Sequence, residues 1–221
     1  KVSQVEVSSM VRASKPGVSF TTQKTRQLSV ERRQRLLKEN KLSLILDLDL
    51  TLLHATNQYP RNLDPQKEAN LHIFKLPDDP LLFYVKLRPG LFHFFSRLSK
   101  LYEFHIYTAG NHEYGSKVAQ IIAEAVRMKT NNNDKLFCSL LTRDNTQEQH
   151  TKSISKVFPH DDTMVLAIDD REEVWPNCGN IIPIKPYKFF EDQGVNVLFN
   201  DDHNQQESEP VPEVGVKFAD P

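Results

Sequence analysis

Residues 44–51 read Leu44-Ile45-Leu46-Asp47-Leu48-Asp49-Leu50-Thr51. An apolar run here ends in two aspartates one residue apart, and a threonine follows two positions later. A buried carboxylate costs free energy unless it is paired or binds a metal ion. The stretch therefore predicts a buried strand whose carboxyl end carries a chemical site. A turn with a helix cap is the alternative that this stretch alone leaves open.

Composition limits the class of protein. The 221 residues include 28 Lys and Arg and 29 Asp and Glu, and the formal charge of −1 gives no general reason to expect a nucleic acid or an acidic membrane surface as partner. Cys138 and Cys178 lack the spacing of a zinc site or a disulfide framework and fit a reducing compartment. No apolar run is long enough to span a membrane. The chain begins at Lys1, so we expect it to belong to something longer.

Strand-like and helix-like segments alternate, which predicts an α/β fold with a mostly parallel central sheet flanked by helices. The predicted strands are Leu42–Leu48, Leu82–Leu87, Glu103–Thr108, Leu136–Leu141, Met164–Ile168 and Ile181–Ile184. The predicted helices run from a cap at Ser29, from Pro89 at the first helical position, from a cap at Asn111 and from near Thr151. Ligands bind such sheets at the carboxyl ends of the strands.

Turns and polar runs predict the organisation along the chain. Residues 1–27 are typical of a mobile N-terminal arm, 28–200 of the folded domain and 201–221 of a polar tail or linker. Residues 55–80 contain four prolines and are typical of a long irregular insert that serves as a lid or binding loop. The helix after Ser29 has a basic face, which indicates either a solvated surface or a binding patch: Arg32, Arg33, Arg35 and Lys38.

Polar side chains follow the ends of separate predicted strands. The set consists of Asp47, Asp49, Thr108, Lys152, Asp169 and Asp170. Taken singly, Thr108 is typical of a strand-end hydroxyl, Lys152 of a solvated cation and the Asp169–Asp170 pair of a helix cap. Together they offer oxygen ligands for Mg²⁺, a carboxylate nucleophile, an acid or base, and two groups that orient phosphoryl oxygens. The set therefore favours a phosphoryl-transfer site.

Longer motifs narrow this hypothesis. They are Asp47–Thr56, Val85–Gly90, His105–Gly110, Thr142–Asp144, Ile168–Trp175 and Lys185–Phe190. With the order of the acidic motifs, they resemble the FCP-type, TFIIF-associating phosphatases of the haloacid dehalogenase superfamily, over residues 28–200. That family acts on the phosphorylated carboxy-terminal domain of RNA polymerase II. Leu50 stands where the family usually carries a polar residue.

The resemblance implies a role for each matching position. Asp47 would be the nucleophile and a Mg²⁺ ligand, and Asp49 the general acid and then base, with its backbone carbonyl on the metal. Thr108 would hydrogen-bond the phosphoryl group, and Lys152 would bridge nucleophile and phosphoryl oxygens. The remaining assignments are Asp170 as a metal ligand, Asp169 as the residue that orients Lys152 or a metal-bound water, and Arg88, Arg143 and Arg171 as substrate-phosphate ligands, with a salt bridge as the alternative for Arg88.

The resemblance therefore implies a Mg²⁺-dependent protein serine phosphatase that acts through an aspartyl-phosphate in the nucleus. Its substrate would be an extended, proline-containing phosphopeptide such as the polymerase domain, with no direct nucleic-acid or membrane partner. A phosphatase for a small phosphate ester and a non-catalytic binding module are the alternatives. A signalling receiver domain also uses an acidic pair and a lysine, but it lacks the order of the Asp47–Thr51 motif and the Arg88-Pro89-Gly90 context found in this chain.

Overall fold

The computed structural model describes residues 10–12, 19–60, 63–64, 67–77, 79–130, 135–145 and 151–191. Its elements, in chain order, are β1 (Met10–Arg12), β2 (Ser19–Thr21), α1 (Thr22–Glu39), β3 (Leu42–Leu46), β4 (Leu53–Thr56), β5 (Leu71–Lys75), β6 (Leu82–Leu87), α2 (Leu91–Leu98), β7 (Tyr102–Tyr107), α3 (His112–Thr130), β8 (Phe137–Leu141), α4 (Ile154–Val157), β9 (Val165–Asp169) and β10 (Ile181–Pro183). Short 3-10 turns occupy Arg143–Asn145 and Glu172–Val174. The predicted tail at 201–221 lies outside the described residues.

A five-stranded sheet with the strand order β10-β9-β3-β7-β8 forms the centre of the domain, and each neighbouring pair in it is parallel. The predicted α/β fold with a parallel central sheet is thereby confirmed. Strand β3 is the middle strand, with Leu44 in register with Phe104 of β7 and Leu166 of β9. The aspartates that follow β3 therefore lie at the middle of the sheet's carboxyl edge.

Strand β3 is buried on both faces. Successive side chains of a strand point to opposite sides of the sheet, and those of β3 pack into two different cores. Leu44 and Leu46 belong to the larger hydrophobic core, which also contains side chains of α2 and α3. Ile45 belongs to a second core with Tyr107 and Trp175. Burial on two faces gives the residues after β3 a rigid support.

A second sheet, of three antiparallel strands in the order β4-β6-β5, contains much of the segment that was predicted to be irregular. That prediction for residues 55–80 is wrong where β4 and β5 pair with β6. Phe74 of β5 stacks on Phe83 of β6 with ring centroids 5.4 Å apart, a contact between strands that no local pattern reveals. The described prolines of this segment, Pro60, Pro77 and Pro80, lie in the connections between these strands, where they interrupt no ladder.

The N-terminal region also differs from the prediction. Helix α1 begins at Thr22 rather than near Ser29. Within the segment that was predicted to be an N-terminal arm, β1 pairs antiparallel with β2. Thr25 is buried, and its hydroxyl shares a hydrogen bond of 2.7 Å with Nε2 of His160. This contact with a residue far along the chain stabilises a first turn that helix propensity alone did not indicate.

Two arginines of α1 attach the helix to the sheet. Arg32 Nη1 donates to Oγ of Ser43 at 3.0 Å, and Arg35 Nη2 donates to Oε2 of Glu103 at 2.6 Å. The basic face of α1 is therefore only partly the solvated surface that the sequence indicated. The guanidinium groups of Arg32 and Arg35 instead bind Ser43 and Glu103 inside the domain.

Helices α2 and α3 begin close to their predicted caps. Asn111 Oδ1 accepts from the backbone N–H of Tyr114 at 2.9 Å, which confirms the predicted cap of α3. Helix α2 begins at Leu91, because Gly90 has φ of 85° and cannot be a helical position; Pro89 therefore precedes the cap instead of filling the first helical position. Among the described helices, none combines the length and apolar character needed to cross a membrane.

Candidate active site

The carboxyl ends of β3, β7 and β9 meet at one edge of the parallel sheet, since β3 lies between the other two strands. Asp47 follows β3, Thr108 follows β7, and Asp169 ends β9. All three side chains are buried. Residues that are far apart in the sequence thus share one small region of the molecule.

Lys152 connects two of these carboxylates. Its Nζ donates to Oδ1 of Asp47 and, at 2.6 Å, to Oδ2 of Asp169. The side chain is buried, and its backbone N–H donates to the carbonyl of Val174 at 2.6 Å. Lys152 is therefore a fixed internal cation rather than a solvated one.

Asp169 is oriented by several donors at once. Its Oδ1 accepts from the backbone N–H of Arg171 at 3.0 Å, and its Oδ2 accepts from Nε1 of Trp175 at 2.9 Å and from Lys152. The Asp169 carboxylate has no exposed surface, and these hydrogen bonds fix its position. This geometry suits a residue that orients Lys152 toward Asp47.

Thr51 connects the first motif to the acidic pair. Its hydroxyl donates to Oδ1 of Asp170 at 3.1 Å and accepts from the backbone N–H of Asp170 at 3.1 Å. One hydroxyl group can make both bonds, since it is donor and acceptor. The threonine of the motif therefore positions Asp170 beside Asp47.

Leu50 forms a left-handed turn between the two aspartates and the second sheet, with φ of 60°. Its backbone N–H donates to the carbonyl of Leu53 at 2.7 Å, and its carbonyl accepts from the N–H of Tyr187 at 2.7 Å. Both of its main-chain polar groups are thus used to close the turn. The turn directs the chain from β3 of the parallel sheet into β4 of the antiparallel one.

Burial dominates the electrostatics of the site. It raises the pKa of Asp47 to about 8, against the opposing effect of the Lys152 ammonium, and raises the pKa of Asp49 to about 6. Burial and the adjacent Asp169 carboxylate also raise the pKa of Asp170. The pKa of Lys152 is raised although burial lowers it, because the two carboxylates that it contacts favour its charged form. The site thus disfavours the charged forms of three carboxyl groups and holds one buried ammonium, Lys152, that favours them.

The donor set fits a divalent cation. Asp47, Asp169 and Asp170 each offer a carboxylate oxygen, and these atoms lie within 4.8 Å of one another. Mg²⁺ takes oxygen ligands in proteins, so a group of three carboxylates suits it. A cation bound there would supply the positive charge that Lys152 alone does not. The backbone carbonyl of Asp49 stays a predicted further ligand.

A second group of metal-ligand residues converges near the amino end of β7, namely Glu103, His105 and Cys138. There the Glu103 oxygens accept from Arg35 at 2.6 Å and from Ser43 at 2.8 Å. A positive partner already neutralises this carboxylate. Of the two groups found among the described residues, the one at the carboxyl edge is therefore the better cation site.

The three predicted substrate arginines lie in different settings. Arg88 donates through Nη1 to the carbonyl of Thr51 at 3.0 Å and through Nη2 to the carbonyl of Lys185 at 3.1 Å. It thus connects the turn that follows the two aspartates to the segment 185–190. Arg171 follows Asp170, and its positive charge opposes the rise in pKa of both Asp49 and Asp170. Arg143 begins the 3-10 turn after β8, where its backbone N–H donates to the carbonyl of Gly110 at 3.0 Å.

Tyr114 contacts the site although sequence reasoning assigned it no role. Its hydroxyl donates to Oδ1 of Asp49 at 2.5 Å, and its ring is buried. Burial, together with the negative charge of Asp49, raises the pKa of Tyr114 well above its ordinary value, so the phenol stays a donor. Tyr114 lies one turn before Val118 on α3, a spacing that is typical of one helix face, but no spacing reveals the partner of its hydroxyl.

A parallel sheet with this arrangement of carboxylates and lysine defines a haloacid dehalogenase-type α/β domain. The chain belongs to the family described as NLI interacting factor-like phosphatase, whose sequence model matches residues 42–202. The resemblance to FCP-type phosphatases is confirmed by two kinds of relative, curated sequences and solved structures.

Among curated relatives, an RNA polymerase II C-terminal domain phosphatase from Schizosaccharomyces pombe is 36% identical over 186 residues, which cover 78% of this chain and 25% of that protein. The protein of the same name from Homo sapiens is 33% identical, with coverage of 81% and 18%. The chain thus spans a quarter or less of the length of these two relatives.

The solved structures agree. A structure of Fcp1, described as an essential RNA polymerase II CTD phosphatase, has a TM-score of 0.65 and 38% identity, covering 76% of this chain and 48% of that one. The structure of fission yeast Fcp1-R271A bound to beryllium fluoride has a TM-score of 0.65 and 34% identity, covering 81% and 50%.

Proposed function

We propose that this chain hydrolyses phosphoserine in proteins, with Mg²⁺ as cofactor and with the phosphoryl group carried transiently on Asp47. The observation that carries the proposal is the buried Lys152 ammonium, which donates to Asp47 and to Asp169 at the sheet edge. Asp49 follows Asp47 by two residues, close enough to serve the same substrate. Family membership supports this chemistry.

In the first step, an oxygen of Asp47 attacks phosphorus while the bond from phosphorus to the serine oxygen breaks. Protonated Asp49 gives its proton to the leaving serine oxygen. Lys152 holds Asp47 in place and offers positive charge to the phosphoryl oxygens as charge develops on them. Bound Mg²⁺, held by Asp47 and Asp170 with Asp169 beside them, would add charge stabilisation of the same oxygens.

Thr108 would hold the phosphoryl group from the side of β7. Its Oγ1 accepts from the backbone N–H of Gly110 at 3.0 Å, so the hydroxyl hydrogen remains to donate to a phosphoryl oxygen. In the second step, the Asp49 carboxylate takes a proton from a water whose oxygen attacks phosphorus. The bond from Asp47 to phosphorus then breaks, and inorganic phosphate leaves.

The substrate proposal rests on the relatives. The two curated relatives described above carry names that specify the carboxy-terminal domain of RNA polymerase II, so we propose its phosphorylated form as the substrate and the nucleus as the location. The arginines Arg88, Arg143 and Arg171 remain proposed ligands for the substrate phosphate. For Arg88 the contacts with two backbone carbonyls favour a positioning role.

The test is turnover of serine-phosphorylated heptad peptides, with Mg²⁺ and with a chelator. We expect phosphate release that requires Mg²⁺, that Asp47→Asn abolishes and that the exposed-site control Asp162→Asn retains. A faster rate on sugar phosphates than on peptides would indicate a small-ester phosphatase instead. No turnover, together with no beryllofluoride complex in the presence of Mg²⁺, would indicate a non-catalytic binding module.

A further inference from the structure

Tyr114 is a buried phenol whose hydroxyl reaches the side chain that the proposed mechanism uses as acid and base. The O–H donates to Oδ1 of Asp49 at 2.5 Å, the short end of the range for O–H···O bonds. The ring is 3% exposed, and it belongs to the large core together with Phe74 and Phe83. Core packing alone would not require the hydroxyl to meet a carboxylate.

The position of the phenol is set from several sides. The backbone N–H of Tyr114 donates to Oδ1 of Asn111 at 2.9 Å in the first turn of α3. The rings of Phe83 and Phe74 lie 5.7 Å and 6.4 Å from its own, by their centroids. A Cβ atom built on Gly110 would lie 2.8 Å from Cδ1 of the ring, so the absence of a side chain at Gly110 lets the ring approach.

A donor on one oxygen of a carboxyl group affects the other oxygen. The terminal torsion of an aspartate is broad and nearly two-fold, so an unrestrained Asp49 exchanges its two oxygens freely. A phenol that donates to Oδ1 restrains the plane of the group. Since proton transfer to the leaving oxygen requires the carboxyl group in one orientation, this restraint has a catalytic consequence.

We propose that Tyr114 is a positioning residue that orients the carboxyl group of Asp49. The inference rests on the proposed function, because it assigns Tyr114 a part in the step that protonates the serine oxygen. The antiparallel sheet takes part as well, since Phe74 and Phe83 belong to β5 and β6 and support the ring. That sheet thereby determines the geometry of the general acid.

The test compares two substrates that differ in their need for an acid. A phosphoserine peptide has a poor alkoxide leaving group that requires a proton, whereas p-nitrophenyl phosphate has a good one that does not. We compare kcat/KM, which reports only on the steps up to release of the leaving group and not on the later step in which Asp49 is the base. We expect Tyr114→Phe to lower kcat/KM on the peptide by about tenfold or more, because a positioned acid contributes roughly 10²–10⁴-fold. On the aryl phosphate we expect less than about a threefold loss. The ratio of the two rates does not depend on the folded fraction.

Two reference variants complete the test. Asp49→Asn should show the same substrate-selective loss of kcat/KM in a stronger form. Tyr84→Phe, which removes the hydroxyl of a tyrosine on β6, should match the wild type on both substrates. If Asp49→Asn is selective and Tyr114→Phe is not, only the inference about Tyr114 is overturned. A wild type that turns over neither substrate refutes the proposed function and the role of Tyr114 with it.

Discussion

Replacing Glu103 with glutamine removes a buried charge that three elements of the fold share. The carboxylate lies near the start of β7, with 8% of its side chain exposed, and accepts from Arg35 of α1 at 2.6 Å. Ser43 of β3 and His105 also hydrogen-bond it, at 2.8 and 3.1 Å. Glutamine keeps the shape of the side chain, so the substitution tests the charge with little change in volume.

The magnitude follows from the pKa of Glu103. Burial raises that pKa, but the hydrogen bonds from His105, Arg35 and Ser43 outweigh it and lower the pKa from 4.5 to about 2. At roughly 1.4 kcal/mol per unit the shift corresponds to about 3 kcal/mol, which we reduce to about 2 kcal/mol because Arg35 is half exposed. A carboxylate with a lowered folded pKa stabilises fully above its unfolded pKa, and this contribution is lost as the pH falls toward the folded value.

The assay is urea unfolding of the wild type and of Glu103→Gln at about pH 7 and about pH 3, with the difference in free energy of unfolding taken at each pH. We expect a loss of about 2 kcal/mol at the higher pH and about half of that at the lower pH. Glu39→Gln is the matched control, because Glu39 contacts the same Arg35 at 3.5 Å with 43% of its side chain exposed. It should cost less than about 0.5 kcal/mol. A loss for Glu103→Gln that is equal at both pH values would refute the reasoning.

Three further outcomes are expected. Gly110→Ala should lower stability by about 1–3 kcal/mol and reduce peptide turnover, since its Cβ displaces Tyr114, whereas Gly179→Ala meets no neighbouring atom and should leave melting temperature and kcat unchanged. Arg88→Lys keeps the charge but loses the contact with two carbonyls, so hydrogen exchange at the Tyr187 amide should accelerate; unchanged exchange with weaker substrate binding would instead support a phosphate ligand. Mg²⁺ at about ten times its Kd should stabilise the wild type by about 1.4 kcal/mol in thermal unfolding, and an equal effect in Asp170→Asn would exclude Asp170 as a ligand.

The sequence predicted correctly those features of the fold that depend on local properties of the chain. The apolar run before Asp47 forms the middle strand, and the cap at Asn111 begins α3, because burial and capping are local properties of the chain. The placement of the strands predicted that Thr108 and Asp169 would lie near Asp47, since parallel strands share one carboxyl edge. These features required no knowledge of which side chains meet.

The features that sequence reasoning missed depend on contacts between distant segments. The second sheet requires β5 to pair with β6, and the early start of α1 accompanies the contact from Thr25 to His160. The role of Arg88 depends on the position of the Lys185 carbonyl, which no periodicity reveals. A hydrogen-bond partner across the fold is set by packing, and packing is not encoded in any single stretch of the chain.

Leu50 shows why a residue without an evident chemical role can still matter for the site. A leucine with φ of 60° carries a strain of roughly 1–2 kcal/mol, so the surrounding structure must maintain this conformation. The bonds from its N–H to Leu53 and from Tyr187 to its carbonyl do so. The turn keeps Asp49 beside Asp47 while the chain departs into β4, in the sheet whose neighbouring strands support Tyr114. The backbone conformation of Leu50 therefore gives this residue a structural role between Asp49 and Thr51 that its apolar side chain does not indicate.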